Sequence, residues 1–254
     1  MRRVTRREFT ALGCGTLGWL ALGGCAETAG ARQDGPKRLS ARPKKGTQTT
    51  ARGTSRLELD GARDGILQMP EKTEGTLPLL VLLHGAGGSA ERQMGRMGAE
   101  ARDAGLVVMA PDSRGGTWDA IVGPDFGPDV EFIDRALNRV FEQVDVDPAR
   151  ITLGGFSDGA SYALSLGLAN GSLFRRVLAF SPGFMTGGDV QGKPTIFISH
   201  GTADRVLPIE RCSRVLVPQL RKFGYQITYR EYDGGHMVPP EVAREGMQWA
   251  ASTK

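Results

Sequence analysis

Five short, almost purely apolar runs constrain the fold of this chain more than any other feature: "LPLLVLLH" (77–84), "LVVMA" (106–110), "RITLG" (150–154), "RVLAFS" (176–181) and "PTIFIS" (194–199). Runs of this length without alternation suit parallel strands buried on both faces, since a strand with one wet face would be polar at every second position. Parallel neighbours cannot be joined by a tight turn and need a crossover, usually helical. "DVEFIDRALNRVFEQ" reads as one such helix, because Val130, Ile133, Ala136, Leu137, Val140 and Phe141 fall on one face at helical spacing. The expectation is an α/β fold: a mostly parallel, doubly wound sheet flanked by helices, without internal repeat. A chain of 254 residues, 40% of them hydrophobic, is long enough for one such core.

The ends of the chain differ in charge. Residues 1–24 hold four Arg and one Glu, residues 26–56 hold eight Lys or Arg and two acids, and the rest carries −5. The pI near 9 is therefore a property of the N-terminal extension, which excludes nucleic acid as the main partner. "MRRVTRREF" followed by the apolar, Gly-rich run Ala11–Gly24 reads as an export signal, too short to span a bilayer comfortably. "TRREF" resembles a twin-arginine signal, and "LGGC" (Leu22–Cys25) resembles a bacterial lipobox that would leave Cys25 as a lipid-bearing N-terminus. The expected organisation is a signal peptide over 1–24, a lipidated Cys25 with a disordered basic tether over 25–56, and a catalytic domain over 57–254. With Cys14 removed and Cys25 lipidated, Cys212 is the remaining thiol and no internal disulfide forms. The expected location is exported and membrane-anchored, periplasmic or at the cell surface.

In "LGGFSDGASYALSLGLA" (153–169), Ser157 lies between glycines where a strand pattern meets a helix pattern. Two roles fit: a helix N-cap, or a nucleophile on the sharp strand-to-helix turn of a G-x-S-x-G motif. The nucleophile role demands an acid and then a histidine downstream, and that order selects His236, in the loop "DGGHMVPP", over His84 and His200. Among the intervening acids, Asp204 directly follows a buried-type strand, with Asp189 in reserve. "HGAGGS" after the strand at 77–84 places a flexible loop where the N–H of Ala86 could face an oxyanion, with the N–H of Asp158 as second donor. His84 and His200 read as structural. The long segment "APDSRGGTWDAIVGPDFGPD" offers Trp118 as a pocket wall, with Asp112 or Arg114 as substrate contacts. Phe184 and Met185 in "SPGFM" offer apolar lining.

"LLHGAGGS", "GGFSDG", "HGTADRVLP" and "DGGHMVPP" together resemble the α/β-hydrolase superfamily, most closely its phospholipase/carboxylesterase and acyl-protein-thioesterase-like branch, over residues 57–254. The resemblance implies Ser157, Asp204 and His236 as a catalytic triad, Ala86 and Asp158 as oxyanion donors, and little or no lid. Asp158 departs from the pattern, because related esterases often carry a neutral glutamine there. The implied function is a serine hydrolase acting on a small-molecule, lipid or polysaccharide ester, with thioesterase or lysophospholipase activity as alternatives on the same triad. A non-catalytic surface-binding lipoprotein would be expected to lack a triad member, and none is missing. No cofactor is expected, and the absence of H-E-x-x-H and the scatter of the three histidines argue against a metal site.

Overall fold

The computed structural model describes residues 38–253 apart from 45, 124, 187 and 188, so the expected signal peptide, Cys25 and the start of the expected tether lie outside the described residues. One eight-stranded sheet has the order β1-β2-β4-β3-β5-β6-β7-β8. The strands are β1 (Thr54–Arg56), β2 (Gly65–Gln68), β3 (Leu77–Leu83), β4 (Val107–Pro111), β5 (Val146–Phe156), β6 (Arg176–Phe180), β7 (Thr195–Gly201) and β8 (Ile227–Tyr232). β1 and β2 run antiparallel at one edge, and every pairing from β4 to β8 is parallel. The five apolar runs are β3 to β7. Helices α1 (Ala90–Asp103), α2 (Asp119–Val122), α3 (Pro128–Gln143), α4 (Asp158–Ala169), α5 (Ser213–Lys222) and α6 (Pro240–Ala251) fill the connections.

The absence of alternation in β3 has its counterpart in two cores. Leu79, Val81 and Leu83 pack on one face with α3, α4 and α5 residues such as Phe141, Leu164 and Leu216. Leu80 and Leu82 pack on the other face with Met97 of α1 and with Val242 and Met247 of α6. Both faces need apolar side chains, so every residue of β3 is buried. Cys212 is likewise buried, just before α5.

The tether expected through residue 56 ends earlier. Leu39 and Ala41 are buried in the larger core. The N–H groups of Ser40 and Ala41 donate to Asp134 Oδ1 on α3 (2.7 and 2.8 Å), and Leu39 N–H donates to Asn170 Oδ1 (2.9 Å). A two-residue apolar anchor in an otherwise polar, basic stretch carries no periodicity, which is why composition alone misreads it as unstructured. β1, too, lies inside the expected tether.

Candidate active site

The chain order reverses about β3: from β3 the sheet continues to β4 on one side and to β5 on the other. The crevice beyond the C-terminal ends of β3 and β5 is thus the natural ligand site of an open parallel sheet. Ser157 sits there, between β5 and α4, at φ 57° and ψ −121°. A non-glycine residue at positive φ stores strain, and here it turns the side chain out of the sheet. The flanking glycines are required by contact. A Cβ on Gly159 would lie 2.5 Å from the carbonyl oxygens of His84 and Leu83, and one on Gly155 would lie 2.5 Å from Gly159.

Ser157 occupies the N-cap position of α4 but makes no side-chain capping bond. Its Oγ lies 2.8 Å from His236 Nε2, and His236 Nδ1 lies 2.6 Å from Asp204 Oδ2. The capping alternative therefore gives way to a continuous Ser–His–Asp hydrogen-bonded chain. Asp204 follows β7, and its other oxygen accepts the N–H groups of Val206 (2.9 Å) and Leu207 (2.8 Å). Burial by itself would raise its carboxyl pKa, but the Leu207 N–H, the His236 hydrogen bond and charge, and the Val206 N–H outweigh it and leave Asp204 lowered from 3.8. It is thus a fixed anion behind the imidazole. Gly201 lets the two loops meet, since a Cβ there would lie 2.4 Å from Gly234 O. Asp189 is exposed, and Asp204 holds the position beside His236.

His200 is wholly buried behind Asp204. Its Nε2–H faces Leu207 O (2.8 Å) and Asp204 Oδ2 (3.3 Å), and its Nδ1 lies 2.7 Å from Ser213 Oγ. His84 accepts the Ser113 N–H at Nε2 (3.0 Å) and donates from Nδ1 to Gly85 O (2.8 Å), which fixes a neutral tautomer. Desolvation lowers the pKa of both rings. Both are bracing residues, as the sequence suggests.

The N–H groups of Ala86 and Asp158 donate to no protein acceptor among the described residues, and a Cβ on neighbouring Gly85 would lie 3.2 Å from Ser157 Cβ. The loop that carries Ala86 therefore presses directly against Ser157. The Asp158 carboxylate accepts the Thr117 hydroxyl (2.7 Å).

A cavity of about 350 Å³ opens at this point, walled by the loop 84–89, Arg92, Gln93, Arg96, Phe156, Ser157, Val206 and His236. Trp118 is not among its walls, contrary to expectation. Its indole is fully buried, donates to His84 O (2.8 Å), and stacks between His84 (4.8 Å) and Tyr162 (5.3 Å). A large ring with one polar atom finds both burial and a partner there, beneath the donor loop. Phe184 and Met185 are absent from the wall as well. The N–H groups of Gly183 and Thr186 are tied to Ser161 and Ser165 on α4, so Met185 turns into the core while Phe184 stays half-exposed. Asp112 receives the Ala90 N–H at the start of α1 (2.7 Å), and Arg114 pairs with Asp60 (2.7 Å) over the Phe132 ring. The side chains that do form the wall, Arg92, Arg96, Phe156 and Val206, went unrecognised in the sequence. The available signal was the helix start "SAERQMGR", which follows the donor loop directly and places Arg92 and Arg96 one turn apart.

A parallel sheet with this switch point and this strained serine is an α/β-hydrolase fold. Residues 129–250 match the phospholipase/carboxylesterase family model. Feruloyl esterase C of Emericella nidulans is 30% identical over 158 residues, 58% of this chain and 57% of that protein. Acyl-protein thioesterase 1 of Gibberella zeae is 28% identical over 146 residues, 52% of this chain and 61% of that protein. The chain therefore spans little more than half the length of these curated relatives. Among solved structures, that of esterase PE8 superposes with a TM-score of 0.60 at 22% identity, covering 74% of this chain and 97% of that one. The sequence matches fall in the esterase branch of the fold.

Proposed function

We propose that the protein is a serine hydrolase that cleaves carboxylic esters through an acyl-enzyme on Ser157. The observation that carries this reading is the unbroken path from Ser157 Oγ through His236 to Asp204, at 2.8 and 2.6 Å. In the first half-reaction Ser157 Oγ bonds to the ester carbonyl carbon as its proton passes to His236 Nε2. Asp204 stabilises the imidazolium. The carbonyl oxygen, now anionic, accepts the N–H groups of Ala86 and Asp158. Collapse breaks the bond to the alcohol oxygen, which takes the proton from His236. Water then attacks the acyl carbon by the same route and restores Ser157. The matches to esterases support the reaction class.

The test is covalent labelling of the purified protein by a fluorophosphonate probe together with hydrolysis of aryl esters. Wild type should label and turn over, and Ser157→Ala should do neither. An unlabelled wild type, or equal labelling of the variant, overturns the assignment. Asp204→Asn should keep the label site but lower kcat by roughly 10³- to 10⁴-fold, because the imidazole loses its tautomer and its counter-charge.

The same proposal has the chain exported and held at a membrane by a lipid on Cys25. Its support is the order of Arg-rich start, apolar run and "LGGC". Because the packed arm begins at Leu39, residues 26–38 can span at most about 45 Å, so the catalytic domain would work close to the lipid surface. Cys25→Ser should move the protein out of the membrane fraction, and unchanged partitioning would count against the anchor.

A further inference from the structure

The cavity wall is charged in one sense only. No Asp or Glu lines it, whereas Arg92 and Arg96 do. His84 contributes no charge, since its ring is held in a neutral tautomer. Among the described residues no carboxylate lies within ion-pair distance of either guanidinium, and the nearest acid in sequence, Glu91, pairs with Arg56 instead (3.2 Å). This concentration of positive charge is local, since residues 57–254, on which the cavity is built, carry −5 in total.

Arg92 and Arg96 are one helical turn apart on α1, a spacing that brings side chains to the same face about 6 Å apart at Cβ. Arg92 is also ordered in advance. Its Nη1 donates to Gly87 O (3.1 Å), in the loop that carries the Ala86 N–H. The remaining N–H groups form a planar fork of the kind that grips a carboxylate or phosphate with two parallel hydrogen bonds. Opposite in character, Phe156 and the exposed side chain of Val206 give the rest of the wall an apolar surface.

We infer that the ester this enzyme turns over carries an anionic group, a carboxylate, phosphate or sulfate, which Arg92 and Arg96 bind while an apolar portion rests on Phe156 and Val206. This inference rests on the serine-hydrolase reading of Ser157 and names the substrate class of that same site. Both guanidiniums are specificity-determining residues: they act on the remote end of the substrate and leave the acyl-transfer chemistry to Ser157, His236 and Asp204.

The experiment compares kcat/KM within matched pairs of esters. An acyl-side pair, 4-nitrophenyl hemiglutarate against 4-nitrophenyl butyrate, and an alcohol-side pair, 4-acetoxybenzoate against phenyl acetate, locate the anion on one half of the substrate. In wild type at least one pair should favour the anionic member. In Arg92→Gln/Arg96→Gln that anionic-to-neutral ratio should fall by about tenfold or more, the scale of losing charge-assisted hydrogen bonds. Arg92→Lys/Arg96→Lys should recover part of it, and added salt should erode what the lysines recover. A variant that merely perturbs α1 would lower both members of a pair together and leave the ratio unmoved. Wild type that is labelled at Ser157 but prefers neither anionic ester, or a ratio unchanged in the double Gln variant, overturns the anionic-substrate inference and leaves the hydrolase reading standing. A wild type that is neither labelled nor active on any ester overturns both.

Discussion

At the scale of single residues, Asp158 puts a charged side chain where the family resemblance implies a neutral glutamine. Its backbone N–H is one of the two proposed oxyanion donors, yet its side chain puts a carboxylate beside the charge that develops there. Thr117 donates to one of its oxygens at 2.7 Å, which draws the carboxylate toward the loop after β4 but leaves it in the neighbourhood. Two negative charges held near each other and partly screened by water repel by roughly 1 kcal/mol. Asp158→Asn keeps an acceptor for Thr117 and removes that repulsion. Its kcat on a neutral aryl ester should rise a few-fold, and steady-state kinetics at one pH checks it; a fall in kcat would show that the carboxylate assists the reaction. The hydrogen-bonded grouping of Ser157, His236 and Asp204 was legible at this scale because order along the chain is a strong filter: only one histidine follows a strand-end aspartate, and it is the one that reaches Ser157. The pocket walls were not, because whether an aromatic in a loop faces a cavity or the core depends on contacts remote in sequence.

Trp118 shows this at the scale of elements. The segment between β4 and α3 looks like a flexible, glycine-rich insertion, but two buried or half-buried carboxylates fold it inward. Asp119 Oδ2 accepts the N–H groups of Gly127 and Asp129 (both 2.9 Å), and Asp129 accepts those of Arg114 (2.5 Å) and Asp119 (2.7 Å). The loop thereby wraps the indole under the donor loop, and Trp118 becomes a strut between α4 and His84. Trp118→Phe leaves the buried His84 carbonyl without its donor, a cost of about 1–3 kcal/mol, and removes ring volume from a packed site. Urea denaturation should show a loss of about 2–3 kcal/mol, and kcat should fall with little change in KM, because the donor loop loses its support; unchanged stability would mean the indole hydrogen bond contributes nothing. The strands and α3 were readable because apolar runs and helical periodicity are local signals. β1 and β2 were not, being short strands at one end of the sheet whose pairing, β1 with β2 and β2 with β4, is decided across the sheet.

For the molecule as a whole, buried ionisable groups set opposing pH dependences. Desolvation lowers the pKa of His84 and His200, so their contribution to stability is present above about 6.5 and is lost as pH falls below it. Burial raises Asp129 to about 6, despite backbone hydrogen bonds from Arg114 and Asp119, so its contribution is greatest in acid and is lost as pH rises through about 6. Between pH 8 and 5 the urea midpoint should therefore decline in wild type less steeply than two histidines alone would cause, and His200→Gln should flatten the decline further; parallel curves would exclude His200 as a source. The N-terminal arm adds a term that does not depend on titration. It crosses α3 and the end of α4, where Leu39 is 3% exposed and Ala41 1%, and Asp134 and Asn170 receive its backbone N–H groups. Burying one leucine side chain is worth about 1.5–3 kcal/mol, well above what a basic linker would contribute from solution. A chain beginning at Arg38 should therefore match the longer protein in urea unfolding, whereas one beginning at Gly46 should lose about 2–3 kcal/mol while keeping an intact site, since the arm packs against α3 and α4 and contributes nothing to the cavity wall. Equal stability of the two chains would show that the arm lies on the surface without holding it. A loss of the expected size would mean that the folded domain begins near residue 38, with Arg38 and Arg42 serving the fold.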